Sequence, residues 1–252
     1  MKMNSIKPST WEEKRLIKAI QKTIGVEQDG IIGESTLSSI ASKLNADCWP
    51  LTISLYGNPT IITKNIEIIT TRSMTSKFSN CVSGTFNDGS SICSICVTNS
   101  RDQYNRTVSC HYWDDPGYPE SVMYKDNSER IGIKRIKHIK ELQQLGVEMP
   151  VKWAIGGMGL LSNYDPKSEG FFGKFSDVLR KTNHIVLGYK NGLIYLCYVK
   201  ESTGSQVNSF AKKIGLEYAI MLDGGHVAAI NGFEKFSKIN TKQMQLCIIK
   251  AI

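Results

Sequence analysis

The residues Asp223-Gly224-Gly225-His226 form the part of the sequence best suited to chemistry. They follow the apolar run 219–222, which is typical of a short buried strand and would hold the Asp223 carboxylate in place. The two glycines would let a ligand approach the backbone and would expose amide N–H groups. A tight turn closed by the aspartate side chain explains the same residues equally well. The motif therefore predicts either a ligand site or a structural turn.

Two histidines, two glycine pairs and two basic residues are further candidates for proton transfer or anion binding: His184 and His226, Gly156-Gly157 and Gly224-Gly225, Arg180 and Lys181. Histidine titrates near neutrality, so either ring could donate a proton or bind phosphate. Consecutive glycine amides can hold phosphate oxygens as an anion nest. A structural histidine, or a solvated basic side chain, remains the alternative in each case.

A tight hairpin is the clearest element that could position these residues. The segment 184–199 reads as two strands joined at Asn191-Gly192, a strong signal for a two-residue turn. Ser202 or Thr203 then begins a helix with apolar positions at helical spacing, which ends at Gly215. The remaining pattern predicts strands over residues 219–222, 227–230 and 244–252.

The middle of the chain mixes strand and helix patterns. Alternating or apolar runs predict strands over residues 51–56, 66–70, 81–97 and 154–161, the third of them broken by a turn at residues 87–89. Apolar residues from Ile131 to Leu145 recur at helical spacing and predict a long basic amphipathic helix that ends at Gly146. Because strands, hairpins and helices are mixed along the chain, the predicted fold class is α+β.

Residues 1–48 are predicted to form a small helical module, with one helix that Ser9 or Thr10 caps and Gly25 ends, and a second over residues 36–44. Their pattern resembles the peptidoglycan-binding domain of cell-wall hydrolases, which carries a D-G-x-[FY]-G-x-x-T turn between two helices. The matching positions are Gln21, Asp29, Gly30, Gly33 and Thr36. The resemblance implies binding to peptidoglycan, whereas the turn glycines and the threonine also have a purely structural explanation.

The order of elements over residues 181–232 resembles the phosphodiester glycosidase family. That family includes the enzyme that removes N-acetylglucosamine from a phosphodiester, and its signature is a strand, a D/N-G hairpin, a helix and a strand that runs into D-G-G-G. Residues 81–87 are similar to its N-G-x-F-F stretch, and residues 154–161 to its G-G-x-x-L-L segment. The resemblance implies that residues 49–252 form one mixed-sheet domain with a glycosidase-like fold.

The resemblance also implies hydrolysis of a sugar–phosphate bond, which passes through an oxocarbenium-like state and needs a carboxylate and a proton donor. For this chemistry the predicted catalytic residues are Asp223 as the carboxylate and His226 or His184 as the group that donates a proton or binds phosphate. The resemblance implies a substrate-binding role for eight further residues: Gly224, Gly225, Gly156, Gly157, Thr85, Asn87, Lys181 and Asn183. No metal and no cofactor is expected. His226 stands where the family has a third glycine, so a binder without catalysis remains the alternative.

Composition limits the class of protein. Of the 252 residues, 41% are hydrophobic and 21% are charged, which excludes intrinsic disorder, and no apolar run is long enough to span a bilayer. The net charge of +8 favours anionic partners, but the basic residues are dispersed, which argues against nucleic acid. Seven cysteines, an odd number, and the absence of a signal peptide favour reduced thiols, including the lone C-x-x-C pair Cys93 and Cys96.

Three functions fit this sequence. In the first, the chain is a glycosyl phosphodiester hydrolase that the N-terminal module holds on cell-wall polymers after lysis, as for a phage-type lysin. In the second, a cytoplasmic enzyme acts on a soluble sugar-phosphate or nucleotide-like phosphodiester, and in the third a non-catalytic protein sequesters such a ligand. The opening residues lack an apolar signal segment, so the predicted location is the cytoplasm, with release to the wall on lysis.

Overall fold

The computed structural model of the chain describes residues 10–32, 36, 49–98, 101–102, 118–232 and 237–252. These residues belong to two compact units, Met1–Trp49 and Pro50–Ile252. The predicted helix over residues 36–44 lies outside the described residues, except for Thr36. Within the described part, no helix combines the length and the apolar character that crossing a bilayer requires.

The first unit contains helix α1, Trp11–Ile24, as the sequence predicts. Thr10 caps the helix: its hydroxyl accepts a hydrogen bond from the Glu13 amide at 3.1 Å, and the Glu13 carboxylate accepts one from the Thr10 amide at 3.2 Å. Gly25 ends the helix at φ 73°, in the left-handed region that favours glycine. Both predicted ends of this helix are therefore confirmed.

Gln21 joins α1 to the turn that follows it. Its side chain is 1% exposed, and its Nε2 lies 2.6 Å from Asp29 Oδ1 and 3.1 Å from Thr36 Oγ1. Its Oε1 accepts a hydrogen bond from the Gly30 amide at 2.8 Å. The hydrogen bond from Gln21 is the main reason that the pKa of Asp29 lies below its ordinary value. Four residues of the peptidoglycan-binding pattern thus hold the turn together, while the fifth, Gly33, lies outside the described residues.

The described part of the second unit forms fifteen strands: β1 Leu51–Leu55, β2 Asn58–Thr63, β3 Ile66–Met74, β4 Cys81–Ser83, β5 Cys96–Thr98, β6 Arg101–Asp102, β7 Glu120–Lys125, β8 Ile131–Ile136, β9 Trp153–Gly159, β10 Thr182–Lys190, β11 Leu193–Ser202, β12 Tyr218–Gly224, β13 Ile230–Asn231, β14 Lys238–Ile239 and β15 Met244–Ala251. Ten of them make one antiparallel sheet in the order β1-β2-β11-β10-β12-β9-β5-β6, with β7 paired to β9 and β8 paired to β7. The other five make a second antiparallel sheet in the order β14-β13-β4-β15-β3.

Apolar side chains from both sheets make the main core of the second unit. The larger sheet contributes Ile61 from β2 and Ile185 from β10, and the smaller sheet contributes Val82 from β4 and Ile249 from β15. All four residues are fully buried, with 0% exposure. Burial of this kind of side chain stabilises the folded state by about 1.5–3 kcal/mol per residue, so the face-to-face packing of the sheets is the main source of stability here.

Two helices pack on the larger sheet: α2, Glu141–Gln144, and α3, Gly204–Lys213. Helix α3 packs Val207 against Val186 of β10 in a second apolar cluster. Because Ile185 and Val186 are successive residues of one strand, their side chains point to opposite faces of the sheet. Helix α3 therefore covers the face that the smaller sheet leaves open, and the predicted α+β class is confirmed.

The predicted hairpin and the helix after it are confirmed as well. Asn191 and Gly192 join β10 to β11, and both have left-handed backbones, with φ of 50° and 79°. Thr203 caps α3, since its amide donates to Gln206 Oε1 at 2.8 Å and its hydroxyl accepts from the Gln206 amide at 3.4 Å. The local turn and cap signals thus position the two strands that lead to the motif at Asp223.

The predicted helix that ends at Gly146 is wrong over its first half. Residues Ile131–Ile136 form β8, which pairs with β7 along its whole length, and only α2 is helical in this region. Pairing with a buried strand overrides a helical spacing of apolar residues. Gly132 fits this pairing, because a Cβ at that position would lie 2.5 Å from the phenol oxygen of Tyr124 on β7.

Candidate functional site

A cavity of about 170 Å³ lies at the ends of β10 and β12, where the D-G-G-H motif is located. Residues from three segments line it: Asn87; Asp177, Val178, Arg180, Thr182 and His184; Met221, Leu222, Asp223, Gly224, Gly225, His226 and Val227. The structure thus brings the motif together with Asn87 and His184, which are also predicted site residues.

Two irregularities in strand pairing shape this end of the sheet, and they lie on either side of His184 along β10. On β12, one extra residue stands between Met221 and Gly224, relative to the segment of β10 that pairs with them. On β11, one extra residue likewise stands between Val199 and Ser202. Bulges of this kind bend a strand and re-aim its side chains, and they are common beside binding sites.

Asp223 lies within the bulge on β12, and its carboxylate is held at both oxygens. Oδ2 accepts a hydrogen bond from Asn87 Nδ2 at 2.9 Å, and Oδ1 accepts one from the Gly224 amide at 2.8 Å. Burial raises the pKa of Asp223 to about 7, while hydrogen bonds to the backbone of Gly224 and Asn87 lower it and the Asp177 carboxylate raises it further. Because the side chain is only half-buried, the cavity gives a ligand access to a carboxylate that titrates near neutrality.

Both glycines of the motif are required by their surroundings. A Cβ on Gly224 would lie 2.7 Å from the carbonyl oxygen of Asn183, so there is no room for a side chain. Gly225 has φ 67°, which favours glycine, and a Cβ there would lie 3.8 Å from Arg180 Nη2 and from Thr182 Oγ1. Glycine therefore keeps open a small space that a guanidinium group and a hydroxyl group border, an arrangement that suits an anion.

His226 lies on a 3-10 turn, Gly225–Val227, that follows β12 directly. The predicted strand over residues 227–230 is wrong for its first part, because β13 begins only at Ile230. The tight turn leaves the His226 side chain exposed while the residue still lines the cavity. Its imidazole is therefore accessible to a ligand that enters from solvent.

His184 lies inside the wall of the cavity. The residue is 1% exposed, and its Nε2 lies 2.7 Å from the carbonyl oxygen of Ser202. A carbonyl group only accepts, so Nε2 carries the hydrogen and donates it. Burial lowers the pKa of His184, while hydrogen bonds to the backbone of Ser202 and Arg180 act in the opposite direction. This geometry favours the structural alternative for His184 over its predicted catalytic role.

Gly156, Gly157 and Thr85 are predicted substrate-binding residues that lie outside the lining of this cavity. The Gly156 amide donates to the Ile95 carbonyl oxygen at 2.7 Å, and the Gly156 carbonyl oxygen accepts from the Thr85 hydroxyl at 2.6 Å. A Cβ on Gly157 would lie 2.6 Å from the carbonyl oxygen of Met221. The predicted anion nest at this glycine pair is therefore not formed, and close packing between strands explains both residues.

Lys181 and Asn183 are also predicted to bind substrate, yet neither lines the cavity. Successive side chains of a strand point to opposite faces, so Thr182 and His184 line the cavity while their neighbours do not. Asn183 Oδ1 accepts a hydrogen bond from the Glu201 amide at 3.2 Å, and Lys181 is exposed. Residues two positions apart on a strand share a face, so the prediction of His184 as a site residue could also have identified Thr182 as one.

Arg180 and Asp177 complete the charged lining of the cavity. Asp177 belongs to the 3-10 helix Gly173–Leu179, and no motif marks it in the sequence. With one guanidinium and two carboxylates, the lining suits a ligand that joins an anionic group to neutral hydroxyl groups. Among the residues that the structure describes, no group of three or more His, Cys, Asp or Glu side chains is arranged to hold a metal ion.

Two buried glutamates lie beside β9, outside the lining of the cavity. Glu120 is 5% exposed, and its carboxylate contacts the Ser94 hydroxyl and accepts a hydrogen bond from the Ile95 amide at 2.8 Å. Burial raises the pKa of Glu120 to about 8 despite these hydrogen bonds. Glu169 is 3% exposed and forms an ion pair with Arg135 at 2.7 Å. Neither glutamate is a predicted site residue, because each stands alone in its segment of sequence.

No protein family model matches this chain, and no curated protein sequence matches it. Solved structures do match. The catalytic domain of zebrafish N-acetylglucosamine-1-phosphodiester alpha-N-acetylglucosaminidase, auto-inhibited by its pro-peptide, is similar over 81% of each chain, with a TM-score of 0.51 and 13% identity. A hypothetical protein from Synechocystis is similar over 80% of this chain and 61% of its own, with a TM-score of 0.47 and 10% identity. At this level of identity, the likeness to the zebrafish domain is one of fold.

Proposed function

We propose that this protein is a hydrolase that cleaves the bond between a sugar and a phosphodiester group. The observation that carries the proposal is one cavity that holds the Asp223 carboxylate, with a pKa of about 7, together with the Arg180 guanidinium and the Gly224-Gly225 turn. The fold shared with the zebrafish phosphodiester glucosaminidase supports the same class of reaction. A glycosyl phosphodiester has the anionic group and the hydroxyl groups that this mixed lining suits.

In this proposal the phosphate group occupies the space that Gly225 keeps open. The Arg180 guanidinium and the Thr182 hydroxyl border that space. A hydrogen bond from the guanidinium to the phosphate joins two ionised groups, and such bonds are roughly twice as strong as neutral ones. Negative charge grows on the phosphate oxygen as its bond to the sugar breaks. A guanidinium group at this position therefore stabilises the transition state more than the ground state.

The sugar then lies with its anomeric carbon toward Asp223. The ionised carboxylate stabilises the oxocarbenium-like state and takes a proton from the water that attacks this carbon. The bond from carbon to phosphate oxygen breaks, the phosphate keeps the electron pair, and the water oxygen becomes a hydroxyl of the released sugar. Asn87 and the Gly224 amide hold the two carboxylate oxygens in place. The entropic cost of orienting the carboxylate in the transition state is therefore small. His226 is placed to bind the phosphate or to protonate it.

The direct test is incubation of the full-length protein with an N-acetylglucosamine-1-phosphodiester and related glycosyl phosphodiesters. Phosphorus NMR should show the diester signal converted to that of a phosphate monoester. A second candidate function, sequestration without catalysis, is favoured by one observation: the Nε2 hydrogen of His184 is already donated to Ser202, and His226 is exposed. Calorimetric binding of the diester with no conversion would support that second function instead.

Arg180→Gln should lower kcat/KM for the diester at least about tenfold. The reason is the loss of a charged hydrogen bond to phosphate, which contributes about 1.5–3 kcal/mol. Lys181→Gln is the matched control, because it removes the same charge from the next residue, which is exposed and does not line the cavity. Steady-state kinetics of both variants measures the difference. Equal effects of the two substitutions would mean that only net charge matters, and would contradict the phosphate site.

We further propose that the unit Met1–Trp49 binds peptidoglycan and holds the hydrolase on wall polymers after release by lysis. The support is the match at Gln21, Asp29, Gly30 and Thr36, which the structure gathers around one turn. The full-length protein should sediment with purified sacculi, and deletion of residues 1–48 should abolish this. Near-ultraviolet circular dichroism should show the remaining unit still folded. Unchanged sedimentation of the truncated protein would contradict wall binding by the first unit, and failure of the full-length protein to sediment would favour a soluble sugar-phosphate or nucleotide-like phosphodiester as the substrate.

A further inference from the structure

Two buried cysteines from different sheets lie side by side in the main core. Cys96 of β5 is 2% exposed and Cys247 of β15 is 1% exposed, and their Sγ atoms are 3.8 Å apart. Strand β5 belongs to the larger sheet and β15 to the smaller one, so the two thiols meet where the sheets face each other. A bond between them would close a loop of 151 residues.

The segment after β4 holds Cys247 in this position. The Gly84 amide donates to the Cys247 carbonyl oxygen at 2.8 Å, and a Cβ on Gly84 would overlap Cys247 Sγ, so glycine makes room for the sulfur. The pKa of Cys247 lies below its ordinary value, because the Cys96 thiol and the Thr85 backbone form hydrogen bonds with its sulfur. A thiol with this environment supplies more thiolate, which is the reactive form.

Other buried thiols of the chain have a different environment. Burial raises the pKa of Cys81 to about 12 and that of Cys197 to about 12. Thiols of this kind are inert near neutral pH, since they carry almost no thiolate. The contrast predicts that an oxidant that enters the core would react at Cys247 before it reacts at Cys81 or Cys197.

We propose that Cys96 and Cys247 are the site of a reversible disulfide that hydrogen peroxide forms across the two sheets. The Cys247 thiolate sulfur attacks one oxygen of the peroxide and the O–O bond breaks; the hydroxide that leaves takes up the proton that the thiol released on ionisation, so a sulfenic acid and one water result. The Cys96 sulfur then attacks the sulfenic sulfur, so that the S–S bond forms, the S–O bond breaks, and the hydroxyl leaves with the Cys96 proton as a second water. The two thiols lose two electrons together, and the peroxide is reduced to two waters.

The geometry and the topology both favour this link. The two sulfurs have to approach by about 2 Å to reach a disulfide bond length of about 2.05 Å, a movement that side-chain rotation and small strand shifts can supply. Linking residues so far apart in the sequence constrains the unfolded chain strongly. The oxidised protein should therefore melt several degrees higher than the reduced protein.

The test uses the full-length wild-type protein, treated with hydrogen peroxide under native conditions. Remaining thiols are alkylated in denaturant, and the protein is digested without reduction for mass spectrometry. We expect a linked peptide that contains Cys96 and Cys247, two hydrogens lighter than the sum of the reduced peptides, which disappears after dithiothreitol. Cys197→Ser is the matched control: it removes another buried thiol of the core and should leave the linked peptide in place.

Two results would overturn the proposal. One is alkylation of both Cys96 and Cys247 after peroxide treatment, and the other is a link between Cys96 and its neighbour in sequence, Cys93. Because the measurement is made on the wild-type chain, it does not depend on the folding of any cysteine variant. It is also independent of sugar-phosphate turnover, so its outcome is separate from that of the proposed function.

Discussion

Asp223→Asn should lower the turnover of a glycosyl phosphodiester at least about 100-fold and leave the fold intact. Asparagine keeps the shape of the side chain and can still accept a hydrogen bond from Asn87 or from the Gly224 amide. It carries no charge and cannot take a proton from water. Burial already raises the pKa of Asp223 to about 7, so an uncharged side chain suits the folded state, and the melting temperature should change by a few degrees at most.

The control for this variant is Asp177→Asn, which removes the same charge from an exposed carboxylate of the same cavity. Its turnover should fall less than about tenfold, as expected for the loss of one ordinary polar contact. Full activity of a well-folded Asp223→Asn protein would contradict the assignment of Asp223. Loss of the fold in that variant would show that the carboxylate serves only the turn.

The pH profile of turnover by the wild-type protein gives a second test of the same assignment. Because the proposed mechanism uses Asp223 in its ionised form, kcat/KM should rise as the pH increases through about 7 and then level off. The residual activity of Asp223→Asn should lack this rise. A rate that falls over the same pH range would mean that the protonated acid is the active form, and that the roles of carboxylate and proton donor are reversed.

Glu120→Gln should reduce the pH dependence of stability that we expect in the wild type, to which the raised pKa of Asp223 also contributes. Burial raises the pKa of Glu120 from 4.5 to about 8, so between these pH values the folded state keeps a proton that the unfolded state has released. The free energy of unfolding should therefore fall as the pH rises through this range, by at most about 4–5 kcal/mol at 1.36 kcal/mol per pKa unit. Glutamine resembles the protonated acid and keeps the contacts with Ser94 and the Ile95 amide.

Urea unfolding of the wild type and of the variant, at a pH near 5 and at one above 8, measures this effect. The variant should be the more stable protein on the alkaline side, and the two proteins should differ less on the acid side. Glu67→Gln is the control, since Glu67 is an exposed carboxylate on β3 and its loss should leave the wild-type slope unchanged. Equal slopes in the wild type and in Glu120→Gln would contradict a buried, protonated Glu120.

The elements that the sequence predicts best are those with local signals. Asn191-Gly192 selects the hairpin turn, and Thr203 with Gln206 selects the start of α3, because few residues satisfy those backbone geometries. Residues 131–136 are predicted wrongly because their partner is remote in the sequence. Apolar residues at a spacing that suits a helix become a strand once β7 is available to pair with them.

The part of the candidate site that the sequence predicts is the part formed by neighbouring residues. The D-G-G-H motif can be read as a turn from four neighbouring residues, and its placement beside Asn87 agrees with the predicted site. The approach of Arg180 to Gly225 and the burial of His184 depend on strand pairing and on the bulges, which no local pattern reports. Gly156 is predicted wrongly for the same reason. The sequence suggests that its amide is free to bind an anion, but in the sheet this amide donates a hydrogen bond to the Ile95 carbonyl oxygen.

Strand β15 lies between β3 and β4 and pairs with both, although most of the chain separates it from them. Until Met244–Ala251 has been synthesised, β3 and β4 have no partner between them, and each presents an open edge that can join another chain. Contacts between residues so far apart in sequence also form slowly, because the loop between them must close first. Gly84 bonds to Cys247 on one side and to the Asp223 amide on the other. The nascent protein is therefore expected to form its candidate site late, after a period in which aggregation competes with folding.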